Sequence, residues 1–324
     1  MVAAEKTITL YNGLKMPTVG LGLWKITRET IADQVYQAIK LGYRLFDGAC
    51  DYGNEAEAGQ GIRRAIDEGL VKRSDLFITS KLWCTYHARE HVKPALKRTL
   101  SDLGLDYIDL YLVHFPIALK FVPFEKRYPP GCEDENGNTN TRASIPFQET
   151  WDGMEELYNE GLAKNIGISN MSGAIIYDLL SYAKVKPAVL QIELHPYLVR
   201  KQLVDLAHAH GIAVTAYSSF GDASYTEMGF KAEDPKFKHL LKHDLISEIA
   251  QKHGKSPAQI LLRWAVERGC AVIPKSSNSE RLSQNLDLFS FELSAEEMEK
   301  ISGLNMNFIM NDPADWVDTA IWAN

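Results

Sequence analysis

The sequence predicts a single (β/α)8 barrel over residues 1–324, with an N-terminal β-hairpin and long loops at the C-terminal rim. Three observations carry that expectation. Short apolar runs alternate with amphipathic stretches almost from end to end, giving eight strand-then-helix units with short links. No break in composition marks a second domain across the 324 residues, a length at which barrels form one unit. The residues just after the apolar runs are polar and chemically varied, as expected where parallel strands end on a common rim. A doubly wound open sheet is the alternative for the same alternation.

The elements follow in order. A hairpin is expected over 7–10 and 16–19, turning at Asn12-Gly13. The first core strand lies near 20–23, and a helix over 29–41 is stopped by Gly42. Further strands are expected at 44–46, 76–79, 108–113, 163–168, 188–192, 212–216 and 271–273. Helical patterns lie between them, near 54–68, 91–103, 147–160, 173–183, 200–210, 244–253 and 280–288. The longest non-periodic stretches, 116–146 and 218–238, have the length of functional lids.

Composition narrows the function. With 45% hydrophobic residues the chain can bury a large core, and a net charge of −7 argues against a nucleic-acid or acidic-membrane surface. Cys50, Cys84, Cys132 and Cys270 are far apart and include no C-x-x-C, which suits reduced thiols better than a disulfide framework. The opening MVAAEKTITL has no long apolar run, and no segment approaches the ~18 apolar residues of a membrane span. A cytoplasmic globular protein is expected.

The strand ends supply the chemistry. In order they carry Asp47, Ser80-Lys81, His114, Ser169-Asn170, Gln191 with Glu193, Tyr217-Ser218-Ser219 and Pro274-Lys275-Ser276. The stretch FDGACDYGNE adds Asp51 and Tyr52 directly after Asp47. Caps and turns explain many such residues singly, but a lysine and a histidine do not cap helix N-termini. A phenol titrates near ~10 and is a poor proton donor alone. An ammonium beside it is expected to lower that value, and a carboxylate behind the lysine keeps it charged and placed. An imidazole can orient a carbonyl. No serine or cysteine nucleophile has a base at a matching strand end. Asp47, Tyr52, Lys81 and His114 therefore suit proton relay during carbonyl reduction.

These motifs resemble the aldo-keto reductase superfamily. GYRLFDGACDYGNE is similar to its first signature, MEELYNEGLAKNIGISN to its second and VIPKSSNSERLSQN to its third. HFPIALKFVPFEKRYPPG, SGAIIYDLL, KPAVLQIE and NDPADW resemble the fungal D-xylose (aldose) reductase branch, and the likeness covers nearly the whole chain. It implies Tyr52 as general acid, Lys81 and Asp47 as its partners, and His114 as the orienting group. It implies NADPH as the cofactor, with NADH as a second. Ser169, Asn170 and Gln191 would bind the nicotinamide amide, with Tyr217 stacked on the ring. Ser218, Ser219 and Phe220 would follow the pyrophosphate, and Glu227 would take ribose hydroxyls. Lys275, Ser276, Arg281 and Asn285 would hold the 2′-phosphate, with Asn278 and Gln284 as further cofactor-binding residues. Trp24, Trp83 and Phe115 would wall the substrate pocket, and Asp51 and Asn311 would take sugar hydroxyls; a helix cap is the bland reading of Asp51.

The implied activity is reduction of aldoses, D-xylose to xylitol, with no metal, nucleic-acid or membrane partner and a homodimer as one possible assembly. A broad-range aldehyde reductase and a non-catalytic nucleotide-binding module of the same fold are the alternatives. His87-Ala-Arg-Glu-His91 matches a zinc-peptidase pattern, but no third ligand is evident, and its histidines read as solvated helix residues.

Overall fold

The computed structural model describes residues 6–223, 238–317 and 319–322. The chain opens with an antiparallel hairpin, β1 (Thr7–Thr9) and β2 (Lys15–Pro17), in which Ile8 pairs with Met16. Gly13 takes φ 86° at the turn, a value that favours glycine.

An eight-stranded sheet follows: β3 (Gly20–Gly22), β4 (Leu45–Asp47), β5 (Phe77–Leu82), β6 (Leu110–Val113), β7 (Ile166–Ser169), β8 (Val189–Glu193), β9 (Ala213–Tyr217) and β10 (Cys270–Val272). The strands neighbour one another in chain order. The pairs β4–β5, β5–β6, β6–β7 and β9–β10 are parallel. Val19 bridges Val272 in parallel, and the Val272 N–H donates to Thr18 O at 2.8 Å. The sheet thereby nearly closes into the expected barrel. Every residue of β5 and β6 is buried, which explains why these strands read as runs rather than as alternation.

Between the strands lie α1 (Arg28–Leu41), α2 (Glu55–Asp67), α3 (Arg89–Leu103), α4 (Phe147–Asn159), α5 (Gly173–Tyr182) and α6 (Lys201–Ala209). They are followed by α7 (Asp244–His253), α8 (Pro257–Glu267), α9 (Ser279–Leu286), α10 (Ala295–Ser302) and α11 (Ala314–Val317). By compactness the chain divides into Met1–Gly20 with Gln191–Asn311, and Leu21–Leu190 with Asp312–Asn324.

In the second unit α2 packs closely between α1 and α3. A Cβ on Gly61 would lie 2.3 Å from Ala32 O, and one on Gly59 would lie 2.3 Å from Leu103 O. Only glycine permits that approach. In the first unit the buried Trp264 of α8 donates from Nε1 to Ser302 Oγ of α10 at 3.0 Å. The helices α8, α10 and α11 go beyond the sequence expectation.

Candidate active site

The geometry centres on Lys81, the fifth of the six residues of β5 and fully buried. A buried ammonium needs partners for all three of its protons. Lys81 Nζ donates to Asp47 Oδ1 at 2.6 Å, to Gly48 O at 2.8 Å and to Tyr52 Oη at 3.0 Å. Parallel pairing sets this up: Asp47 ends β4 opposite Thr79 of β5, and Gly48 N–H continues the ladder to Thr79 O. Tyr52 comes round in the 3-10 turn Cys50–Tyr52, which Gly53 ends at φ 68°.

Tyr52 keeps some exposure, yet the protein packed round it pushes its hydroxyl well above the usual tyrosine value. Burial is the main cause, followed by the negative charge of Asp47 and Asp51. The expected lowering by Lys81 is therefore corrected. Asp47 neutralises the ammonium at 2.6 Å, so Tyr52 meets a neutral pair rather than a bare cation. Because Lys81 donates to the phenol oxygen, the phenol's own proton is available to another acceptor.

His114 follows β6, where its N–H donates to Leu82 O at 3.1 Å. Burial lowers its pKa, and Asp51 works in the opposite direction. Asp51 Oδ1 lies 3.2 Å from His114 Nδ1. The pair is close but out of line: both atoms are buried without a hydrogen-bond partner among the described residues. Asp51 does not cap α2, whose N-cap is Asn54, and Asn54 itself donates to Leu23 O and Ile26 O.

An aromatic wall adjoins the histidine. Phe115 stacks on His114 at 4.9 Å, and Trp83 meets His114 edge-on at 5.2 Å. Trp316, which sequence reasoning did not assign, stacks on Trp83 at 6.1 Å and meets Phe115 edge-on at 5.1 Å. Its signal was the NDPADW segment. Trp83 Nε1 donates to Gly131 O at 2.9 Å, fastening the 116–146 insertion to this wall. Trp24 lies just past β3, half-buried, with Lys25 Nζ 4.6 Å above its ring.

Ser169 and Asn170 end β7 in the same unit. Asn170 has φ 60° and donates from Nδ2 to His114 O at 2.9 Å and to Ser169 Oγ at 3.1 Å. This ties the backbone of His114 to the expected nicotinamide residues.

In the first unit, Gln191 is buried in β8 and Tyr217 is half-buried at the end of β9. Ser218 has φ 52°, Phe220 is half-buried, and the buried Ser219 Oγ has no hydrogen-bond partner among the described residues. A phosphate oxygen would satisfy that hydroxyl. Lys275 and Arg281 are exposed, and neither has an acidic partner among the described residues. They flank the start of α9, a setting suited to an anion. Other residues of the group are engaged locally. Asn278 is the N-cap of α9, accepting from Arg281 N at 2.9 Å, and Ser276 Oγ accepts from Asn278 N at 3.2 Å. Gln284 donates to Glu280 at 3.3 Å, and Asn285 is buried. Asn311 Nδ2 donates to Tyr217 Oη at 3.1 Å. Glu227 lies outside the described residues.

The histidines of the H-x-x-E-H match do not share a solvated helix face. His87 precedes α3 and is buried, which lowers its pKa to about 3, while His91 stacks on Phe121 at 3.6 Å. Among the described residues no three His, Cys, Asp or Glu side chains group to hold a metal.

The chain is 56% identical over 310 residues to the probable NAD(P)H-dependent D-xylose reductase of Emericella nidulans, covering 96% of this chain and 97% of that one. It is 54% identical over 316 residues to NAD(P)H-dependent D-xylose reductase I,II of Candida tropicalis, covering 98% and 97%. Among solved structures it resembles a Bombyx mori aldo-keto reductase in complex with NADP, at TM-score 0.86 and 38% identity over the full length of both chains. The Schistosoma japonicum aldose reductase gives TM-score 0.86 and 36% identity over 97% of each chain. The family model for aldo/keto reductases matches residues 16–306, and the chain belongs to the aldo/keto reductase family.

Proposed function

We propose that this protein reduces aldose sugars with NADPH, and NADH as a second cofactor, D-xylose to xylitol being the principal reaction. The observation that carries the reading is the buried Lys81 ammonium shared between Asp47, Gly48 O and the Tyr52 phenol. Lys81 holds the phenol oxygen while leaving the phenol's own proton free for a substrate carbonyl, and it remains a donor to the oxygen that loses that proton.

Bound NADPH supplies the hydride to the carbonyl carbon. Tyr52, protonated in its buried setting, donates to the carbonyl oxygen and then transfers its proton to it. The phenolate left behind accepts from Lys81, whose own charge Asp47 holds in place. His114 is neutral, because burial lowers its pKa, and so it serves as a hydrogen-bonding group that orients the carbonyl rather than as a second acid. Trp24, Trp83 and Phe115, with Trp316, exclude water from the reacting carbon. Asp51 and Asn311 take sugar hydroxyls.

Ser169, Asn170 and Gln191 would hold the nicotinamide amide, Tyr217 would lie against the ring, and Ser218, Ser219 and Phe220 would follow the pyrophosphate. Glu227 takes ribose hydroxyls. Lys275 and Arg281 hold the 2′-phosphate. Ser276, Asn278, Gln284 and Asn285 shape the loop and helix start that present those two cations. Residues 1–324 act as one domain. A cytoplasmic setting is supported by four unpaired cysteines, three of them buried. A homodimer is the proposed assembly, supported by the exposed Tyr177 beside the half-buried Ile175 and Leu180 on α5; sedimentation equilibrium tests it.

The activity is tested by the loss of reduced-nicotinamide absorbance with D-xylose and NADPH, followed by product analysis for xylitol. Binding of NADPH without turnover on any aldose or aldehyde would favour the non-catalytic alternative.

A further inference from the structure

The segment 305–311 carries Asn311, and its two ends are held differently. Its beginning is tied by backbone and amide contacts: Met306 N–H and Phe308 N–H donate to Tyr197 O, and Val199 N–H donates to Asn305 Oδ1. At its end, among the described residues, one side chain takes the backbone N–H groups of Met310 and Asn311. Glu193, the last residue of β8, is 1% exposed and accepts from Met310 N at 3.0 Å (Oε1) and 3.2 Å (Oε2), and from Asn311 N at 3.1 Å (Oε2). His195 Nε2 meets the same carboxylate at 2.9 Å. The side chain of Asn311 then donates to the Tyr217 hydroxyl, and Leu194 N–H, beside Glu193, donates to Tyr217 O at 3.2 Å.

A buried carboxylate that accepts from two successive backbone N–H groups is well satisfied, and it fixes the atoms that donate to it. We propose that Glu193 is a positioning residue for substrate selection: it locks the backbone of residues 310–311 so that Asn311 presents its amide at one place, and with it the Tyr217 ring. This rests on the reading of Asn311 as a sugar contact. Glu193 touches no substrate in this proposal and acts through Asn311. Its loss therefore loosens recognition of hydroxylated aldehydes while leaving proton transfer by Tyr52 intact.

Glu193→Gln is the informative variant, because it keeps the shape but turns an N–H donor toward a backbone N–H. The expected result has three parts. First, kcat/KM for D-xylose falls about tenfold more than kcat/KM for an apolar aromatic aldehyde, mostly through KM. Second, amide hydrogen exchange at Met310 and Asn311 accelerates in the whole protein. Third, in an Asn311→Ala background the same substitution changes discrimination no further, since the two residues act through one contact.

Equal losses on both substrates, or independent additive effects in the double variant, would overturn the proposal. Asn311→Ala alone separates the two levels: unchanged discrimination there removes the sugar-contact reading, and the proposal with it, whereas a selective loss there with none in Glu193→Gln removes the latch alone. Should Glu193→Gln not fold, His195→Leu removes one partner of the carboxylate and is read by the same ratio. A selective loss of smaller size supports the latch, and an unchanged ratio with unchanged exchange at Met310 and Asn311 overturns it.

Discussion

Asp47, which ends β4, and Asp51, in the 3-10 turn four residues on, do different work. Asp47 is bound to Lys81, whereas Asp51 lies against His114 and caps nothing. With the cap reading gone, substitution of Asp51 has a chemical rather than a structural consequence. Asp51→Ala should lower kcat/KM for D-xylose far more than for an aromatic aldehyde, because a site built for hydroxyls loses an acceptor. It should also move the acid limb of the pH profile downward, since Asp51 is what offsets the burial that lowers the pKa of His114. Matching losses on both substrates, with an unmoved profile, would sink that role. Tyr52→Phe should keep the fold and NADPH affinity while losing at least about two orders of magnitude in turnover. Wild-type turnover in a single-turnover assay limited by chemistry would exclude Tyr52 as the acid.

At the scale of elements, α2 and α9 carry charges that a stability or binding measurement can read. Glu55, in the first turn of α2, is fully buried and accepts from Ser80 Oγ at 2.5 Å and Thr99 Oγ1 at 3.0 Å. Burial raises its pKa from 4.5 to about 7, against the lowering effect of those two hydroxyls. The folded protein thus holds a proton that the unfolded chain has released between those values. The resulting stabilisation is complete below the unfolded value and is lost as pH rises through about 7. The size is roughly 3 kcal/mol. Glu55→Gln should remove that slope, so the wild type loses stability relative to the variant between pH 5 and 8 in urea titrations. Parallel curves would rule out Glu55 as the titrating group. On α9, Arg281→Ala should weaken NADPH by a charge-assisted hydrogen bond, roughly 1.5–3 kcal/mol, and leave NADH nearly unchanged. Equal weakening in fluorescence titrations would count against a 2′-phosphate contact. Two helices outside the sequence expectation were legible in retrospect. Ser256-Pro-Ala-Gln259 and Ser294-Ala-Glu-Glu297 are capping boxes that open α8 and α10. Both follow closely on a strand or helix already assigned, and the strand-then-helix alternation has no place for an extra helix.

For the whole molecule, the barrel was legible because parallel strands read as short apolar runs, and strand ends on one sheet read as neighbours. That logic singled out Asp47, Lys81 and His114 from their positions alone. It could not find what depends on side-chain partners. Asp47 offsets the effect of Lys81 on Tyr52, Asn278 and Ser276 serve a helix start, and Trp316 returns from a tail segment with no periodicity. The division into two compact units also has no counterpart in composition. Of its three borders, two fall inside strands, between Gly20 and Leu21 in β3 and between Leu190 and Gln191 in β8, and the third falls between Asn311 and Asp312. Independent domains part at exposed linkers that few contacts cross, whereas a border inside a strand of a continuous sheet cannot open without leaving backbone groups unpaired. The single domain proposed for residues 1–324 should therefore melt in a single calorimetric transition, with the van't Hoff enthalpy equal to the calorimetric one. Single substitutions in either unit, such as Glu55→Gln or Trp264→Phe, should shift that one transition rather than split it. Two resolved transitions, each moved only by substitutions in its own unit, would mean that the chain is two domains sharing a sheet.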